Sequence, residues 1–417
     1  MIDGELHLAR SRLPGRGGRR ACADRDEDAV TLGAAAAAAL LSRHEGLRPG
    51  ALVLATTTPP YRLGGSVQPL AEMLDLTHDV VALELTATPA DGLAALRVAT
   101  ALAGEDRPAL VVAANRGTHD HREDGGDGAV ALLVGAGTAA IEVAFGAART
   151  EEARERWALA GAGPEREGDP TLTAALVERR ARAAAGGEPA GIVSLAGTRP
   201  TARLEGALGG PGDPVARDAG FLGSAHALAR LLAGAADPQT IVATANGITQ
   251  AVRATPGPGA SALAAAAAGV LAGGVEVERP PAPEVRDEGF APYQSLPRAG
   301  RERGQELRLE AVVCRGCERV VYPPPASACP SCGTTGPHEP TRLGRAGTVL
   351  TMTRDHVYPD GAVTTMAVVT LDRGGRFYGQ VVPSGEIAVG EQVRLVPRVL
   401  HRGGDVVQYF WKVEPCR

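Results

Sequence analysis

Four cysteines near residue 320 could do chemistry by spacing alone: Cys314-x-x-Cys317, then Cys329-x-x-Cys332. Each pair lets two thiolates grip one side of a tetrahedral ion, and two such pairs make the ligand set of a closed structural zinc site. Both pairs fall in a chain holding only 6 cysteines, so chance placement is a poor account. No ligand position stays open and no acid or base stands nearby, so the expected zinc holds a fold together and catalyses nothing. A second group, His119-Asp-His121-Arg-Glu-Asp, offers imidazoles and carboxylates. Its place between a strand-like run and the Gly126-Asp-Gly turn reads as a solvated loop.

The elements that must carry these residues change character along the chain. Residues 1–28 are Arg/Gly-rich and poorly patterned. From 29 to 275, helix-like and strand-like runs alternate. Helices are predicted at 29–43, 66–74 and 89–103, with strands at 50–56, 79–86, 109–114, 128–134 and 140–147. A second cycle follows: helix 171–185, strand 190–195, helix 224–235, strand 240–244 and helix 260–272. This rhythm calls for helices packed on a central sheet, and the repeated order suggests an internal duplication. Residues 276–309 are rich in proline and charge and read as a linker or as a docking segment laid over a partner surface. The ribbon occupies 310–335. Five strand-like runs follow to residue 417, separated by turn signals such as Pro359-Asp-Gly and Arg402-Gly-Gly, and suggest a small closed barrel of the OB type.

Composition excludes some partners. The 417 residues allow two or three domains. Net charge is −5, against a nucleic-acid partner, and the last 73 residues from Arg345 hold nine Lys/Arg against seven Asp/Glu. Lys412 is the sole lysine. The start, Met-Ile-Asp-Gly-Glu, does not read as a signal peptide, and the apolar runs 29–41 and 260–275 are too short and alanine-rich to span a bilayer. A reducing cytoplasm is expected.

Residues 310–415 resemble the rubredoxin-like zinc ribbon plus OB-fold family that accompanies thiolases and related acyl-CoA enzymes. The likeness is carried by the Tyr322-Pro-Pro-Pro insert, Cys329-Pro-Ser-Cys-Gly, Gly344-Arg-Ala-Gly-Thr-Val-Leu-Thr-Met-Thr, Met366-Ala-Val-Val-Thr-Leu-Asp, Gly375-Arg-Phe-Tyr-Gly-Gln and Tyr409-Phe-Trp-Lys. Residues 29–275 resemble the thiolase superfamily, nearest to 3-hydroxy-3-methylglutaryl-CoA synthase and the ketoacyl synthases. Here the matching stretches are Ala55-Thr-Thr-Thr-Pro-Pro-Tyr, Glu84-Leu-Thr-Ala-Thr-Pro-Ala-Asp-Gly-Leu, Gly126-Asp-Gly-Ala-Val-Ala-Leu-Leu-Val-Gly and, more faintly, Gly220-Phe-Leu-Gly-Ser-Ala. The implied fold class is α/β: a duplicated αβαβα layered domain, then a small all-β ribbon and barrel.

The resemblance also implies a catalytic set, and this chain departs from it. The family's nucleophilic cysteine corresponds to Pro89, which cannot attack but suits the first turn of a helix. Thr88-Pro-Ala-Asp91 reads as a capping box. The family's acid/base glutamate corresponds to Thr57, its histidine to Gly197 and its asparagine to Phe221. Thr86 and Thr88 would need an adjacent base to act.

The expectation is an accessory or scaffold protein of acyl-CoA metabolism, its ribbon/OB module docking on an active thiolase-type enzyme, its thiolase-like part pairing with that partner or with itself. One alternative is an active acyl-CoA condensing or cleaving enzyme using Thr88, Asp91, His119, His121, Tyr378 or Tyr409. Another is a nucleic-acid-binding OB protein, which would need a basic groove with stacking aromatics. If coenzyme A or an acyl-CoA binds, Arg345, Arg376, Arg398 and Arg402 are the candidate phosphate partners.

Overall fold

The computed structural model describes residues 2–15, 18–61, 63–104, 106–117, 125–135, 140–159, 162–194, 198–278, 296–356, 363–403 and 406–416. The chain divides into two compact units. One comprises residues 1–23, 28–71 and 76–281; the other comprises 24–27, 72–75 and 282–417.

The first unit is built on a ten-stranded sheet. Its first half runs β1 (Ile2–Leu8), the hairpin β2 (Ser11–Gly15) and β3 (Gly18–Cys22), α1 (Ala29–Ser42), β4 (Ala51–Ala55), α2 (Val67–Met73), β5 (Val81–Leu85), α3 (Asp91–Leu102), β6 (Ala109–Asn115) and β7 (Gly128–Val134). The second half runs β8 (Ile141–Phe145), β9 (Arg149–Thr150), the hairpin β10 (Arg156–Leu159) and β11 (Ala162–Glu167), α4 (Pro170–Ala185) and β12 (Gly191–Ser194). It continues with α5 (Thr198–Ala207), α6 (Pro214–Ala219), α7 (His226–Ala233), β13 (Gln239–Ala245), β14 (Ile248–Pro256), α8 (Ala260–Ala272) and β15 (Val275–Glu276).

The main path across the sheet is β12-β13-β14-β8-β1-β7-β6-β4-β5. From the sheet's middle outward, β1, β7, β6 and β4 are matched by β8, β14, β13 and β12. In each set a parallel outer pair is followed by two antiparallel steps. The duplication is therefore topological, and among the described residues the second half has no counterpart of β5. Strands β4, β6 and β7 are buried along their whole length, which is why they read as unbroken apolar runs.

The two sheet edges differ. On β12, the Ile192 N–H donates to Glu205 and its carbonyl accepts from Arg230, and those two side chains form a bidentate pair at 2.6 and 2.7 Å. On β5, by contrast, Val81 and Leu83 are 49% and 38% exposed.

Two expectations need correction here. The Arg/Gly-rich start is not unpatterned: β1 lies inside the sheet, and the β2–β3 hairpin pairs with β15. Its arginines serve α8, whose last turn has no basic residue. Arg19 donates to the carbonyls of Leu271 and Ala272, and Arg12 to that of Val270. Those carbonyls lack helical partners at a C-terminus. The expected linker also contains a helix, α9 (Leu296–Arg308). Its carbonyls at Gln305 and Leu307 accept from the Tyr322 hydroxyl and the Trp411 indole.

In the second unit α9 leads into a three-stranded sheet of β16 (Glu310–Val313), β17 (Val320–Val321) and β18 (Glu339–Arg342), in the order β17-β16-β18. Beyond it come β19 (Ala346–Asp355), β20 (Thr364–Leu371), β21 (Arg376–Gln380), β22 (Gln392–Gly403) and β23 (Val406–Pro415). These form an antiparallel sheet ordered β21-β20-β19-β22-β23 around Val349, Val369, Phe377, Leu395, Trp411 and Val413. The closed barrel expected from sequence is not completed by a ladder among the described residues; one isolated bridge, Val381 to Val413, links the two edges.

Candidate functional site

The turn from β5 into α3 is the place where the resemblance puts a nucleophile. Pro89 stands there, buried, with no reactive atom. The surrounding polar groups are already paired. One Asp91 carboxylate oxygen accepts from the backbone N–H groups of Ala87 and Thr88, both at 2.7 Å. Its other oxygen accepts from the Thr88 hydroxyl at 3.3 Å, and Thr88 Oγ1 accepts from the Ala90 N–H. The capping box thus forms in a shifted version, with Thr88 serving Ala90 instead of Asp91. Amides at a helix N-terminus favour an anion, and the chain supplies its own.

Thr57 follows β4 and Asn115 ends β6. The Thr57 hydroxyl donates to Asn115 Oδ1 at 2.6 Å. Against them lies Gly223, at φ +53°; a Cβ there would sit 2.5 Å from Asn115 Oδ1 and 2.8 Å from Thr57 Oγ1. Gly92 of α3 is packed as tightly, since a Cβ on it would meet the Ser224 carbonyl. The 220–225 loop therefore closes on both the Thr57–Asn115 pair and the first turn of α3. Sequence reasoning missed Asn115 and Gly223. Their only signal is a polar residue ending an apolar strand and a glycine in a polar turn.

The backbone of Phe221 pairs with Gly125 and accepts from the Gly126 N–H, while its ring stacks on His226 at 4.9 Å. His226 opens α7 and is fully buried. Its Nδ1 accepts from the Leu222 N–H, and Nε2 lies 2.8 Å from Asp213. Asp213 also caps α6 and is held below the usual carboxylate range: burial opposes this, but His226 and Arg230 outweigh it. Both ring nitrogens are occupied, so His226 orients the loop and is not a free base. Gly197, His119 and His121 lie outside the described residues.

The four cysteines lie together. Cys314 Sγ is 3.6 Å from Cys332 Sγ, and Cys317 Sγ is 3.8 Å from Cys329 Sγ. A tetrahedron with metal–sulfur bonds of about 2.3 Å has edges of about 3.8 Å. All four sulfurs lie within 4.8 Å of one another. Two matching turns present them: Glu318 N–H bonds to the Cys314 carbonyl and Gly333 N–H to that of Cys329, each with positive φ at the donor.

The four arginines expected to meet a coenzyme A phosphate do not form one patch. Arg345 lies 4.5 Å over the Trp411 ring and donates to the Met73 carbonyl. Arg398 is buried against Glu27 and Glu414. Both are committed internally, which corrects that expectation. Arg376 is exposed and Arg402 half-buried. Of the tyrosines on the five-stranded sheet, Tyr409 is buried and Tyr378 is 62% exposed. Phe377 and Trp411 fill the core, so the aromatics build no stacking platform among the described residues.

Comparison with known proteins bears on both units. Residues 301–338 match the family model described as "ChsH2, rubredoxin-like zinc ribbon domain". Among solved structures, MvaS in complex with 3-hydroxy-3-methylglutaryl coenzyme A aligns with TM-score 0.53 at 20% identity, covering 69% of this chain and 93% of that one. The HMG synthase of the curacin biosynthetic pathway, in complex with apo donor-ACP, aligns with TM-score 0.56 at 16% identity, covering 66% and 86%. PksG, an HMG-CoA synthase from Bacillus subtilis, gives 0.55 at 14%, covering 66% and 85%. The fold is thiolase-like. No curated protein gives a significant sequence match. At these identities the likeness is one of fold, and in the thiolase-like fold the β5–α3 turn is where this chain carries Pro89. No described helix is long and apolar enough to cross a membrane.

Proposed function

We propose that this chain is an accessory or scaffold protein of acyl-CoA metabolism, with a thiolase-like unit that performs no acyl transfer and a zinc-ribbon module that docks on or supports an active thiolase-type enzyme. The observation that carries the reading is the β5–α3 turn. Proline stands where the resemblance puts a nucleophile, and the Asp91 carboxylate already occupies two backbone amides of that turn. With Thr57 bonded to Asn115 and His226 bonded at both nitrogens, the described site offers no free base. Acyl-CoA is the proposed ligand class, because structures of this fold include one in complex with 3-hydroxy-3-methylglutaryl coenzyme A. We assign β5 as the edge through which the unit pairs with a partner or a second copy, since it carries exposed apolar residues and, among the described residues, pairs with β4 on one side only. The module's OB character and a cytoplasmic site of action belong to the same proposal.

The test is a single-turnover incubation of the purified chain with radiolabelled acetyl-CoA, run beside affinity purification from the native host. No label on the chain, with a thiolase-type enzyme recovered in stoichiometric amount, is the expected result. A covalent acyl-chain adduct, or turnover by the chain alone, overturns the reading.

A further inference from the structure

Within the second unit, six ionisable side chains cluster, five of them buried and Glu414 half-buried. Asp24, Asp26 and Glu27 come from the segment before α1, Arg398 from β22, and Lys412 and Glu414 from β23. Arg398 Nη2 is 3.1 Å from Glu27 and 2.9 Å from Glu414, and its Nε is 3.8 Å from Asp26. Lys412 Nζ is 2.8 Å from Asp26, whose side chain is fully buried. Asp24 accepts from the Ser384 hydroxyl, and its N–H donates to Glu27. The Val399 N–H donates to the Asp26 carbonyl, so the segment is also held by backbone. At the rim, Arg394 pairs with Glu414 and Arg25 faces Lys412.

With Glu414 and Arg394 paired at the rim, three buried carboxylates face two buried cations, and charge unbalanced in a dry interior is costly. The cheapest relief is a proton kept on one carboxyl group. We propose that Asp24–Glu27 is a proton-operated latch: it stays seated on β22 and β23 while the cluster holds that extra proton, and loosens when the proton leaves. Glu27 is the site that holds it. Burial, opposed by Arg398, pushes its carboxyl up from 4.5 to about 7. Burial likewise raises Asp24 and lowers Lys412, while the four carboxylates, against burial, hold Arg398 above its ordinary value.

The sign follows from linkage. An acid whose proton is held more tightly in the folded chain contributes stability at low pH, and that contribution fades as pH rises through about 7. Between pH 6 and 8 the opening equilibrium constant of the latch rises about tenfold. Lys412 is the sole lysine, so amine labelling away from the N-terminus reads this cluster alone. In the full zinc-loaded chain, Lys412 labelling and hydrogen exchange over residues 22–28 are compared between wild type and Glu27→Gln, a neutral side chain of the same shape. Expected is slower labelling in the variant at both pH values, with the ratio of wild-type to variant rates rising about tenfold between pH 6 and pH 8. Equal rates at pH 8 overturn the latch. So does a carbon-13 titration of Glu27 in the wild-type chain with its midpoint near 4.5, a readout that stands even if the variant folds poorly.

Discussion

Placing a cysteine at position 89 should not create an acyl-enzyme, because the obstacle is the occupied anion site as much as the missing sulfur. The perturbation is Pro89→Cys, alone and combined with Asp91→Ala. In the single variant an oxyanion formed at residue 89 competes with the Asp91 carboxylate for the N–H groups of Ala87 and Thr88, each bonded at 2.7 Å. A hydrogen bond to a charged group contributes about 1.5–3 kcal/mol, so displacing two costs about 3–6 kcal/mol. That is roughly 10²–10⁴-fold in acylation rate. Losing the Asp91 side chain costs about 0.5–2 kcal/mol of helix capping, which the fold should survive. The assay is intact-mass detection of the acetylated chain after incubation with acetyl-CoA, with circular dichroism to confirm folding. The double variant should acetylate by that factor faster than the single one. If Pro89→Cys alone acetylates as fast as the pair, the plug by Asp91 is refuted.

Metal analysis should find one zinc per chain, and chelation should unfold the second unit while the thiolase-like unit keeps its helical signal; cooperative loss of both would contradict separate units. Gly223→Ala should lower stability by about 2–3 kcal/mol in denaturant titration, since the backbone is left-handed there and the new methyl meets Asn115 and Thr57. An alanine that costs nothing would mean that the loop does not pack against that pair.

Most of the α/β rhythm was legible because buried strands such as β4, β6 and β7 are continuous apolar runs bounded by turns. The second hairpin strand, β14, was missed although Asn246-Gly247 is a strong two-residue turn signal, and both residues take positive φ. β1 and the β2–β3 hairpin were illegible for another reason. Their charged residues serve distant groups, as Arg12 and Arg19 do at the end of α8, and no local period records that. The zinc ligands could be read from spacing because four sulfurs around one ion constrain neighbouring positions directly. At the β5–α3 turn, Pro89 was visible as a loss. The role of Asp91 as an occupant was not, because a capping residue looks the same in sequence whether it only starts a helix or also fills a binding position. The arginines failed for want of exposure: nothing local marks Arg398 as internal.

The unequal flanks of the central sheet set a limit on assembly. One flank is stitched shut by Glu205 and Arg230, which bind the outward backbone groups of Ile192; the other presents a single bare ribbon. Among the described residues, strand addition is therefore open at one flank only. That open flank, among the described residues, is rich in valine and leucine, so it is where an apolar neighbour would gain most by adding a strand.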